Sequence, residues 1–278
     1  MMAMSDYDRI LNTHYGGRDL ANAILAGLQA AGKDLQALNP DDLAAVDQLH
    51  FRGKEATLEL AQLAGLTPGI RVLDVGGGLG GPARTLASEF NCHVTVLDLT
   101  EEYCRVGEML TGRTGLSARV HFRLGNALAM PFPPASFDIA WTQHSSMNIA
   151  DKARLYAEIR RVLRPHGRLA LYEIMAGAVQ PVYFPVPWAR MPTMSFLRPP
   201  AEVRTLIAAS GFTEVRWLDV SERCLAWIRQ QQATAPATPP PLGLHLLLGP
   251  VVSVMSKNLT RNLEEQRIAI IEAVFERG

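Results

Sequence analysis

The chain has 278 residues, 48% of them apolar, and carries 27 Lys plus Arg against 27 Asp plus Glu. That much apolar material fills a globular core, and a net charge of zero gives no basic footprint for nucleic acid or an anionic membrane. The three cysteines, Cys92, Cys104 and Cys224, are too few and too widely spaced for a disulfide framework or a metal site; Met1–Ile10 lacks the basic and apolar blocks of a secretory leader; and no run of about 18 apolar residues could span a membrane. A cytoplasmic location with reduced thiols is therefore expected.

In chain order, residues 1–66 read as a helical addition that could act as a lid or dimer interface. Leu20, Ile24, Leu25 and Leu28 recur at helical spacing before Gly32, Asn39 ahead of Pro40 marks a helix start, and Lys54–Ala64 forms a third helix before Gly65. From residue 67 strands and helices alternate. Strands are expected at Ile70–Val75, Val94–Leu99, Val120–Leu124, Phe137–Thr142, Arg168–Ile174 and Glu214–Val220. Helices are expected near Pro82–Phe90, Glu101–Leu110, Lys152–Leu163 and Val203–Ala209. This rhythm predicts an α/β, Rossmann-like, doubly wound sheet, mostly parallel, buried on both faces.

Two stretches interrupt it. Residues 178–200 hold Pro181, Pro185, Pro187, Pro192, Pro199 and Pro200 with aromatic residues among them, which suits a lid or pocket wall; residues 232–250 are Pro-rich and read as a mobile loop. Val251–Glu264 reads as helix. Arg267–Phe275, rich in Ile, Val and Phe, reads as a seventh strand, with helix the competing reading. The expected organisation is a helical lid over 1–66 and a core over 67–278 with cap insertions at about 178–200 and 221–266.

The densest signal is Val72-Leu73-Asp74-Val75-Gly76-Gly77-Gly78-Leu79-Gly80-Gly81-Pro82: a buried strand, a glycine-rich turn, and the start of a helix. Glycine permits positive φ and close approach of a ligand to the backbone, and the helix start offers unpaired N–H groups. Asp98, twenty residues after Gly78, ends the next strand, where a carboxylate can accept from both ribose hydroxyls of an adenosine cofactor. Gly76, Gly78 and Gly81 also satisfy the dinucleotide pattern G-x-G-x-x-G, so a nicotinamide-dependent oxidoreductase competes. Asp74 favours a cofactor bearing cationic sulfonium and ammonium groups over one bearing a pyrophosphate. Tyr103 and Tyr156 also lack the Lys four residues on that a short-chain dehydrogenase would show.

Over residues 66–220 the chain resembles the class I S-adenosylmethionine-dependent methyltransferases. Val72–Gly80 matches the first motif, Asp98 the acid of the second strand, Gly125-Asn126-Ala127 the adenine position, Phe137–Trp141 the fourth strand and Leu163–Gly167 the turn before the fifth. Trp141–His144 with Met147-Asn148 resembles sarcosine/dimethylglycine methyltransferases and related small-molecule enzymes. The resemblance implies a seven-stranded sheet, S-adenosyl-L-methionine as cofactor and a small-molecule acceptor whose nucleophile is N, O or C. It assigns the cofactor to Asp74, Gly76, Gly78, Gly80, Asp98, Leu99, Asn126, Ala127 and Gln143. Asn126 stands where an Asp is usual, and His166 where a Gly is usual.

His144 and Glu173, at the ends of the fourth and fifth strands, are the candidates for a proton acceptor and could face one cavity. Tyr15, Arg52, Met147, Tyr183 and Trp188 are candidates for the lid and pocket wall. A non-catalytic protein that keeps the adenosyl site is the remaining alternative, and the sequence leaves the oligomeric state, a homodimer included, open.

Overall fold

The structure is a computed structural model that describes residues 19–235 and 240–278; Tyr15 lies outside them. Three helices come first: α1 (Leu20–Ala30), α2 (Pro40–Asp47) and α3 (Gly53–Ala64). Each boundary has a local cause. The Asn39 N–H donates to the Asp42 carboxylate at the start of α2, Pro40 takes the first turn, and Gly65 closes α3 in the left-handed conformation.

The core then runs β1 (Arg71–Val75), α4 (Gly81–Phe90), β2 (His93–Asp98), α5 (Glu101–Arg113), β3 (Val120–Leu124), β4 (Phe137–Gln143), α6 (Lys152–Val162), β5 (Leu163–Ala176), α7 (Pro200–Ala209), β6 (Phe212–Asp219), α8 (Ser221–Ala233), α9 (His245–Leu248), α10 (Val252–Glu264) and β7 (Ile268–Arg277). The seven strands form one sheet in the order β3-β2-β1-β4-β5-β7-β6. All pairings are parallel except those of β7, which inserts antiparallel between β5 and β6. The strand order reverses between β1 and β4, so a crevice opens at their carboxyl ends, where such sheets bind ligands.

Period-two alternation builds both layers. Val72, Val96, Trp141, Tyr172 and Val274 point to the face covered by α3 and α4, where they join Leu60, Ala61 and Leu86. Leu73, Val75, Ala140, Leu171 and Phe275 point to the other, against Leu155 and Ile159 of α6 and Ile207 of α7.

The structure changes several expectations. β5 begins at Leu163, five residues early, and α8 fills a stretch where no helix was expected. The Pro-rich 232–250 region is anchored where it is described: Leu242, Leu247 and Leu248 are buried against Ile24 and Leu28 of α1, and Gly27 faces the Pro241 carbonyl so closely that a Cβ would lie 2.7 Å from its oxygen. The 178–200 segment is likewise packed rather than loose. Val186, Trp188, Ala189 and Met194 are buried, and the Asn148 amide donates to the carbonyls of both Trp188 and Met194, stapling the segment to the loop after β4.

Candidate active site

The turn after β1 is built from left-handed glycines: Gly76, Gly78 and Gly80 have φ of 72°, 56° and 79°. Two of its glycines are also required by space. A Cβ on Gly77 would sit 2.4 Å from Oδ2 of Asp74, and one on Gly76 would sit 2.5 Å from Cβ of Ser145 in the loop after β4. The turn therefore lies directly over Asp74 and against the β4 loop. Asp98, at the tip of β2, braces it: one carboxylate oxygen accepts from Gly78 N–H at 2.9 Å and the other from Thr100 N–H at 2.8 Å. Each oxygen keeps a lone pair, so the carboxylate can still accept from ribose hydroxyls.

Two buried acids stand close together here, with no cation beside them among the described residues. Burial, followed by the charge of Asp98, pushes Asp74 up to about 7, and burial raises Asp98 against the pull of its backbone donors. Oδ2 of Asp74 has no hydrogen-bond partner among the described residues. Across the crevice, Gln143 at the end of β4 accepts at Oε1 from Trp141 Nε1–H (2.9 Å) and Thr57 O–H (3.2 Å), which leaves its amide nitrogen buried without a partner among the described residues. An orphaned acceptor and an orphaned donor at one switch point are what a zwitterion would satisfy. In chemistry these groups, two carboxylates and a free amide donor, are of the kind that would suit S-adenosylmethionine. Oδ1 of Asn126 accepts from Leu128 N–H at 2.8 Å in a tight turn and keeps a second lone pair. Leu99 and Ala127 flank this region, next to Asp98 and Asn126.

His144 follows β4 in the left-handed conformation (φ 48°), its N–H donated to the Tyr172 carbonyl at 2.8 Å. Its ring stacks on Tyr172, with centroids 5.1 Å apart and planes within 6°, while His50 and Phe51 meet it edge-on at 6.0 and 5.3 Å. Burial, reinforced by His50, holds its pKa well below the usual value, and burial brings His50 down to about 4, so both rings are neutral at neutral pH. Nε2 of His144 is buried and has no partner among the described residues.

Glu173 is not beside it. Tyr172 and Glu173 are successive strand residues and project to opposite faces, so the single cavity expected for His144 and Glu173 does not form. Glu173 accepts instead from the N–H groups of Ser145 (3.4 Å) and Ser146 (3.3 and 3.2 Å), while Nζ of Lys152 donates to the carbonyls of Ser146 and Ile149. Burial raises Glu173 and lowers Lys152 to about 8, each opposed by the other's charge. Together they clamp the β4 loop.

The wall candidates divide. Met147 and Trp188 are core residues, with the Trp188 indole donating to Ser195 Oγ. Tyr183 lies between the guanidiniums of Arg261 and Arg267 and its hydroxyl accepts from both. Arg52 is spent on Glu55 and Glu59 at 2.7 Å; its sequence neighbours His50 and Phe51 are the ones at the site.

One structural element beside the site is not legible from local sequence. Arg84 in α4 is wholly buried and donates to Asp47 of α2 at 2.7 Å, and also to Thr111 and the Leu79 and Gly107 carbonyls. The helical addition is thereby bolted to the glycine turn. A guanidinium amid the small residues Gly-Pro-Ala-Arg-Thr-Leu-Ala was the available signal, but its partner is 37 residues away.

A family model described as a methyltransferase domain matches residues 73–171. Methyltransferase GfsG of Streptomyces halstedii is 30% identical over 202 residues, covering 72% of this chain and 70% of that protein. Sterol 24-C-methyltransferase ERG6B of Gibberella zeae is 39% identical over 114 residues, 41% of this chain and only 30% of that protein's length. Among solved structures, the [4+2]-cyclase SpnF is similar at 21% identity with a TM-score of 0.68, covering 99% of this chain and 98% of that one, which is a likeness of fold.

Proposed function

Because the chain belongs to the S-adenosylmethionine-dependent methyltransferase family, we propose that it transfers the methyl group of S-adenosylmethionine to a small-molecule acceptor. The observation that carries the reading is the opposed pair of orphaned buried groups, Oδ2 of Asp74 and the Gln143 amide nitrogen, at the β1/β4 crevice. When bound, the cofactor supplies an electrophilic methyl on a sulfonium; the chain supplies alignment and a dry site. In this reading Gly76, Gly78 and Gly80 let the backbone approach the cofactor, Asp98 holds the ribose, Asp74 faces the positive groups, and Leu99, Asn126 and Ala127 border the adenine. His144 is the proton acceptor, and Glu173 with Lys152 fixes the loop that presents it. Met147 and Trp188 set the wall from behind. A cytoplasmic location suits the three unpaired cysteines; among the described residues no helix is long and apolar enough to cross a membrane.

Calorimetric titration with S-adenosylmethionine, S-adenosylhomocysteine and NADH tests this. Micromolar binding of the two adenosyl ligands is expected, weakened by about 100-fold in Asp98→Ala through loss of charge-assisted ribose hydrogen bonds, roughly 3 kcal/mol. Binding of NADH alone would sink the reading.

A further inference from the structure

The surroundings of His144 narrow the acceptor. Among the described residues charged side chains reach this part of the fold, yet all but one are committed elsewhere. Arg52 pairs with Glu55 and Glu59, and Arg223 with Glu59 at 2.6 Å. Arg84 pairs with Asp47. Glu173 and Lys152 face the opposite side of the sheet and hold loop backbone. The exception on the His144 side is Glu272, which lies opposite Tyr172 in the β5–β7 register, is 1% exposed and has an oxygen without a partner among the described residues. Burial and the nearby Glu59 push it up while Arg223 and Arg52 pull it back, so it lies within the field of the Arg52–Glu59–Arg223 cluster. Among the described residues, the rings in contact with His144 are the uncharged His50, Phe51 and Tyr172, and Nε2 of its neutral imidazole is an orphaned acceptor among them.

Such a wall gives no counter-ion to a phosphate, a carboxylate or an ammonium, and desolvating any of these without one is costly. A neutral imidazole is also too weak a base to strip an alkylammonium, whereas it can accept from a hydroxyl as the oxygen becomes bonded.

We propose that the acceptor is an uncharged, largely apolar molecule bearing a hydroxyl group, and that the chain methylates it on oxygen with the hydroxyl held by Nε2 of His144. The proposal rests on the methyl-transfer reading and specifies its substrate class. In the step, the hydroxyl oxygen forms a C–O bond to the methyl carbon while the C–S bond breaks and its electron pair stays on sulfur. The hydroxyl proton passes to Nε2 and then to solvent. The products are a methyl ether and S-adenosylhomocysteine, with one proton released.

The test is equilibrium binding to the full chain saturated with S-adenosylhomocysteine. The probes share one ring system: 2-naphthylmethanol, its methyl ether, 2-naphthylmethylammonium and 2-naphthyl phosphate. The alcohol should bind at least ten-fold tighter than either charged probe and about five-fold or more tighter than the ether. The preference over the ether should vanish in His144→Phe, which keeps the stacking on Tyr172 but lacks Nε2. His144→Asn, which tolerates the left-handed backbone, serves if the Phe variant does not fold. Tighter binding of either charged probe, equal binding of alcohol and ether, or no binding of the alcohol overturns the proposal while leaving the cofactor assignment standing. Failure of S-adenosylhomocysteine itself to bind strikes the underlying methyl-transfer reading instead.

Discussion

The two sides of the β1/β4 crevice treat charge in opposite ways. On the β1–β2 side two acids, Asp74 and Asp98, are buried together without a cation, so that Asp74 is pushed up to about 7. On the β4–β5 side the described cations are paired off or tied to backbone, Glu272 alone keeps an unpartnered oxygen among the described acids there, and two imidazoles stay neutral. An unpaired buried carboxylate is tolerated where a cationic ligand can supply the missing partner. The contrast explains how one crevice can hold a charged cofactor beside an uncharged acceptor.

Three changes break or sharpen this contrast, and the largest acts on the bolt between the helical addition and the glycine turn. Arg84→Ala leaves Asp47 buried and unpaired, so chemical denaturation should register a loss of about 3–5 kcal/mol. Cofactor affinity should fall as well, because Arg84 also holds the Leu79 carbonyl in the glycine turn. If Arg84→Ala costs under about 1 kcal/mol, the helical addition is not anchored through this pair.

The second effect tests the charged side. Asp74 has its free-protein pKa raised from 3.8 to about 7, so ligand-free stability is lost as pH rises from about 4 through 7, where the folded state must give up the proton. Asp74→Asn should therefore stabilise the ligand-free protein most above pH 7, by about 1–3 kcal/mol in thermal or denaturant unfolding. A cationic ligand favours the carboxylate. Affinity for S-adenosylmethionine should thus rise about ten-fold from pH 6 to pH 8 in the natural protein and stay flat in the variant. A flat profile in both would detach Asp74 from the cofactor's positive groups.

The smallest effect is expected at the adenine border. Asn126→Asp keeps the turn bond to Leu128 N–H and adds charge to the acceptor, so adenosyl ligands should bind about two- to five-fold tighter by calorimetry. A loss of affinity would show that like-charge repulsion from Asp98 outweighs the stronger hydrogen bond.

Local chemistry made much of this legible beforehand. The glycine turn could be located because Val72–Val75 must be a buried strand and because several of its glycines adopt positive φ that other residues rarely take. Asp98 and Gln143 were legible as strand-end residues of a known alternation. The seventh strand was readable from its β-branched residues, yet its antiparallel insertion between β5 and β6 was not, since pairing partners are set by packing and not by propensity. The position of His144 at a strand end is legible locally, but its separation from Glu173 is set by the alternation of faces along β5, which strand ends alone do not show.

The sequence by itself determined the periodicities, the turn and the residue types at each strand end, all of which depend on neighbours within a few positions. Only the tertiary structure decided which charges meet. Arg84 finds Asp47 across 37 residues, Arg52 turns to Glu55 and Glu59 instead of a ligand, and Gln143 is oriented by Thr57, 86 residues away. Such partners are chosen by where buried helices dock on the sheet. A charge or amide is therefore left free for a ligand only after the whole fold has claimed the others.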